Sequence, residues 1–178
     1  MKNIRPFGSH KPKLGNGVFV DPMAVVTGDV TLGHDASVWP MVSIRGDLLP
    51  IKIGDRSNIQ DGSVLHTSHD SKYFPGGASL TIGNDVTVGH AVVLHGCTIN
   101  DKVLIGMGAI VLDRAIINSN IILGAGTLVP PNKELESGYL YVGSPAKKAR
   151  PLTESELEFL SYSAASYVKN KDLHLAEK

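Results

Sequence analysis

Seven histidines occur in this 178-residue chain, and three of them, His66, His90 and His95, sit in aliphatic surroundings: Val-Leu-His, Val-Gly-His and Val-Leu-His-Gly. Neutral imidazole is a common zinc ligand, and three imidazoles leaving one position open are the donor set of a catalytic zinc ion. One histidine taken alone means little, because most are surface or hydrogen-bonded residues. What matters is whether the fold brings these three together, and that depends on a repeat.

Aliphatic residues recur every sixth position over most of the chain. The first run is Val20, Val26, Leu32, Val38 and Ile44, followed after a slip by Ile53, Ile59 and Leu65. A longer break precedes Ile82, Val88 and Leu94, and a one-residue deletion resets the phase to Ile99, Ile105, Val111, Ile117, Leu123 and Val129. One inward aliphatic, one small inward residue and a turn describe a short strand plus a corner, and three such units close one triangular coil of a parallel β-helix. The seventeen hexads predict an all-β solenoid of five to six coils over about 15–135, in a single domain. Residues 67–81, with Pro75-Gly76-Gly77, read as a loop thrown out at one corner. Pro130-Pro131 is expected to end the last coil, with 136–152 as an exit segment. Thr153-Glu154-Ser155-Glu156 is a capping box opening a C-terminal α-helix over 153–170, with Leu157, Leu160, Ala164 and Val168 as its apolar face.

Because three hexads make one turn, residues at the same place three hexads apart stack. The hexads at Ile44, Leu65 and Leu94 share a column if the 67–81 loop is an insertion, so Arg45, His66 and His95 follow one another up one face. Ile59 and Val88 belong to another column, which stacks Asp61 on His90. His90 therefore lies on a different side of the triangle, and a neighbouring subunit of a threefold trimer could supply it to the His66–His95 pair. His10, His34 and His174 have no such partners and read as surface residues. His69 could form an adventitious pair with His66. Cys97, the sole cysteine, excludes an intramolecular disulfide and reads as a buried filler.

Lys and Arg (17) balance Asp and Glu (17), so the chain lacks the broad basic field that holds nucleic acid or anionic membrane. No apolar segment resembles a signal peptide or a membrane span. A cytoplasmic protein acting on a small molecule is expected.

The motifs Ile44-Arg45-Gly46-Asp47, Asn58-Ile59-Gln60-Asp61-Gly62, Leu65-His66, Gly89-His90, His95-Gly96 and Gly143-Ser144-Pro145-Ala146-Lys147 resemble the gamma-class carbonic anhydrase-like family, in its YrdA/PaaY-type branch of hexapeptide-repeat proteins. The resemblance implies a left-handed helix and a homotrimer with metal sites at subunit interfaces. It also implies Zn2+ (with Fe2+ or Co2+ able to serve) on His66, His90 and His95. By the same resemblance Gln60 places the reacting oxygen and substrate, Arg45 and Asp47 are a pair linking subunits, and Asp61 orients a ligand; Asn58 has the weakest claim of this group and reads as a turn cap. The implied activity is reversible hydration of carbon dioxide by a zinc-activated hydroxide. The alternatives are acyl-CoA thioester hydrolysis at the same site and a non-catalytic metal-binding scaffold. One departure bears on rate: the family's acid after Arg-Gly-Asp is Leu48 here, and the loop contains no Glu, so proton transfer falls to His69, Asp70, Tyr162 or Tyr167, or is slow.

Overall fold

The hexads wind into a parallel β-helix closed by one C-terminal helix, in a computed structural model that describes residues 3–177. Each aliphatic column is continuous. Val20, Val38, Ile59, Val88, Ile105, Leu123 and Tyr141 pair rung to rung on one face. Val26, Ile44, Leu65, Leu94, Val111 and Val129 do so on the second. Leu32, Ile53, Ile82, Ile99, Ile117 and Leu135 form the third. These side chains fill the prism, and all are buried. Gly54 shows why glycine follows the aliphatic: a Cβ there would lie 2.5 Å from the backbone of Gly83 on the next coil.

The solenoid is longer than the sequence pattern indicates. Ile4–Arg5 and Lys13–Leu14 already pair with Val25–Leu32, and Glu134–Leu135 and Tyr139–Val142 add rungs beyond Pro130-Pro131, so each face carries seven rungs and not five to six. The first two strands are too exposed to show the aliphatic period, and the prolines sit at a corner, where a missing N–H breaks no ladder bond. The thrown-out segment is 67–79, because Leu80–Ile82 is already a rung. The exit segment is partly strand: Lys147–Pro151 folds back antiparallel on Tyr139–Val142.

The capping box forms, with Thr153 and Glu156 bonding reciprocally, and the helix runs over Glu154–Ala176, beyond the expected end at 170. Its buried line is Leu160, Ser163, Ala164 and Lys171; Leu157 is exposed, contrary to expectation. Lys171 takes the place an aliphatic would have because its ammonium reaches Asp35 at 2.9 Å. The helix lies against strands Ser37–Val38 and Thr87–Val88. His174 is exposed, as expected of a surface residue, and its ring packs on Phe19 and Trp39, with centroids 5.5 and 5.2 Å away. His34 accepts the Asn16 N–H, and His10 stands 3.6 Å from Asp29. No described helix is long and apolar enough to cross a membrane.

Ile105 is fully buried between Val88 and Leu123. Because neighbouring coils are fixed by ladder bonds and collapse little, Ile105→Ala should lower unfolding free energy by about 2–5 kcal/mol, measured by denaturant titration.

Candidate metal centre

One corner of the prism carries most of the chemistry, and three different excursions build it. After Gly46 the strand register jumps from Gly28↔Gly46 to Val30↔Ile51, so residues 47–50 bulge outward and bring Asp47 over the next coil. One coil on, the chain leaves the prism after His66 through segment 67–79. A further coil on, it turns tightly at Gly96, whose φ of 53° suits glycine. His66 and His95 are direct register partners in adjacent parallel strands.

Their rings face each other, with His66 Nδ1 3.2 Å from His95 Nε2. The outer nitrogens both meet carboxylates: His66 Nε2 is 3.0 Å from Asp47 Oδ1, and His95 Nδ1 is 3.0 Å from Asp113 Oδ1. Burial alone would raise the Asp47 pKa, but hydrogen bonds from Arg45 and His66 outweigh it and hold the carboxyl below its usual value, hence ionised. Burial, Arg45 and His95 together lower the His66 pKa despite Asp47, which disfavours imidazolium. Where the carboxylates accept the outer N–H groups, the inner nitrogens are left as acceptors facing each other, and a proton or a metal cation between them satisfies both. Two nitrogens on one tetrahedral zinc at about 2.0–2.1 Å stand roughly 3.3–3.4 Å apart, so the observed pair fits zinc with little adjustment.

The second group lies on another face. His90 Nδ1 is 3.1 Å from Asp61 Oδ2, and both side chains are 48% exposed, unlike the 15% of His66. Beside them Gln60 is buried and donates to Asn58, which donates to Thr87, whose hydroxyl meets Ser163 of the helix at 3.0 Å. Asn58 therefore braces Gln60 within a strand; it does not cap a turn. Gln60 and His90 line a mostly apolar cleft of about 430 Å³ with Leu104, Ile105, Met107 and Ile122. Within one chain, among the described residues, no three His, Cys, Asp or Glu side chains converge into a metal-holding group.

Arg45 is half exposed and ion-paired with Asp47 of its own chain. His69 is exposed, and both ring nitrogens of His66 are already engaged by other partners, so the two do not pair. Asp70 is occupied in accepting the Gly76 N–H. Tyr162 stacks beside Phe159 in solvent, whereas Tyr167 packs edge-on against Trp39, its phenol pushed up by burial and by the charge of Asp61. Cys97 is buried, which pushes its thiol up and leaves it inert. Asp113 escaped the sequence reading. It stands two residues after Val111, the column-mate of Leu94, so scanning each column for acids one place past a histidine would have found it.

No family model matches the chain. It is 59% identical over 172 residues to Protein YrdA of Escherichia coli (strain K12), covering 97% of this chain and 94% of that protein. It is 39% identical over 169 residues to the mitochondrial gamma carbonic anhydrase 2 of Arabidopsis thaliana, covering 93% of this chain and 59% of the relative. Among solved structures, a hexapeptide transferase family protein from Anaplasma phagocytophilum superposes with a TM-score of 0.89 at 36% identity, covering 97% and 98% of the two chains. A coiled prism of hexapeptide rungs together with these similarities places the chain in the gamma carbonic anhydrase-like family of hexapeptide-repeat proteins.

Proposed function

We propose that the chain assembles as a threefold trimer in which His66 and His95 of one subunit meet His90 of the partner subunit around a zinc ion, and that the trimer hydrates carbon dioxide reversibly to bicarbonate and a proton. The observation that carries this reading is the 3.2 Å approach of two imidazole nitrogens whose outer nitrogens are held by carboxylates. His90, half exposed and already oriented by Asp61, supplies the missing third donor only if another subunit covers its face.

When bound, a zinc ion on three imidazoles lowers the pKa of a water at its open position to about 7, making hydroxide available at neutral pH for attack on carbon dioxide. Iron(II) or cobalt(II) would be held by the same donors. The chain's own residues do the rest. Asp47, Asp61 and Asp113 fix the rings and keep their inner nitrogens free of protons. Gln60, held by Asn58, offers its amide at the His90 side to orient the substrate, and the apolar wall of Leu104, Met107 and Ile122 suits an uncharged reactant. Arg45 keeps Asp47 ionised and so acts through it.

The cleft beside His90 is much larger than carbon dioxide requires, which favours hydrolysis of an acyl-CoA thioester as the second reading. Stopped-flow hydration of carbon dioxide, run on zinc-loaded protein against chelator-treated protein, tests the first. Zinc-dependent turnover is expected. Equal rates in the two preparations, with thioester cleavage following zinc, would replace it with the second.

A further inference from the structure

Asp113 and Arg114 occupy a corner directly above the neck of the 67–79 excursion, and each grips one end of it. The neck is closed by the Ser68↔Ala78 bridge. At its first end the Ser68 hydroxyl donates to Asp113 Oδ1 at 2.8 Å, the same oxygen that meets His95 Nδ1 at 3.0 Å. At its far end Arg114 donates to the carbonyls of Pro75 and Gly77, with its guanidinium 4.0 Å over the Phe74 ring. Space for this arrangement is reserved in the backbone: a Cβ on Gly96 would lie 2.3 Å from Asp113 Oδ1, so only glycine after His95 lets the carboxylate reach back to the ring.

We propose that Asp113 is the positioning residue that fixes the orientation and tautomer of His95 for metal binding, and that the 67–79 excursion acts on the metal through Ser68 seated on that carboxylate. The inference rests on the reading of His95 as a ligand. A carboxylate accepting the Nδ1 proton leaves the Nε2 lone pair aimed at His66 and makes it more basic, and loss of such a partner costs about 10–100-fold in metal affinity. Ser68 supplies the second hydrogen bond that holds the carboxylate in place, so the seat of the excursion and the ring of His95 are coupled through one oxygen atom.

Two readouts test this on the full chain. Zinc affinity, measured by chelator competition, should fall about 10–100-fold in Asp113→Ala, with one zinc per chain still reached at saturation. Ser68→Ala should weaken zinc several-fold in the wild-type background and have no further effect in Asp113→Ala, because the two act in series. Independently of zinc, nitrogen NMR of the metal-free protein should show the His95 proton on Nδ1 in the wild type and a mixture of tautomers in Asp113→Ala and in the near-isosteric Asp113→Asn. An unchanged affinity and tautomer in Asp113→Ala would overturn the role of Asp113. An equal Ser68→Ala effect in both backgrounds would overturn the coupling to the excursion. A wild type that binds no zinc would overturn the proposed function instead, and the tautomer measurement would still decide the role of Asp113.

Discussion

His90→Ala and His95→Ala, each inactive alone, should regain about a quarter of wild-type zinc content and hydration rate when unfolded together in equal amounts and reassembled. Each proposed site takes His66 and His95 from one subunit and His90 from the next. An intact set therefore needs a His90→Ala chain offering its His66–His95 corner to a His95→Ala chain offering its His90 face. With random assembly each condition is met half the time, which gives about one site in four. Neither homotrimer can build any complete set. If all three donors came from one chain, every chain in the mixture would remain defective and recovery would be nil. The complementation thus reports on sharing between subunits and is insensitive to a generally damaged fold, which mixing could not repair.

Replacing Leu48 by Glu should raise kcat at low buffer concentration by up to about 10²-fold while leaving kcat/KM unchanged. Each hydration releases a proton that must leave the site before the next cycle. Leu48 is 45% exposed in the bulge that also carries Asp47, which touches the proposed ligand His66, so the position is close to that site and open to solvent. Three carboxylates near this corner already have partners: Asp47 meets Arg45 and His66, Asp113 meets Ser68 and His95, and Asp70 accepts a backbone N–H. Wild-type kcat should therefore climb with imidazole buffer concentration, and Leu48→Glu should lose that dependence. Buffer-independent turnover in the wild type would show that a native shuttle exists, with exposed His69 the first residue to examine.

The features legible in the sequence are those set by a strict period. Once the aliphatics fall every sixth residue, the stacking of Leu65 on Ile44 and of Leu94 on Leu65 follows from counting, and with it the adjacency of His66 and His95. The separation of His90 onto another face follows from the same count. The capping box was legible because it needs only residues three apart. What escaped is whatever interrupts the period or depends on side-chain reach. The end coils were missed because their strands are short and exposed, or follow prolines that corners tolerate. Along the helix Leu160 and Ala164 are buried as their spacing predicts, whereas Ser163 and Lys171 are buried through polar partners, so a search for apolar residues passes over them. Asp113 is harder to find than the stacked histidines because its side chain reaches back across a glycine from one place past the register partner of the ring it holds, so only a column scan offset by one position picks it out.

Native mass spectrometry of the purified wild-type protein, with metal content read from the same ion series, tests the central claim most directly. The account predicts a trimer carrying three zinc ions that loses all three on His90→Ala substitution while remaining a trimer. A metal-free trimer, or a monomer that keeps its zinc, would contradict it.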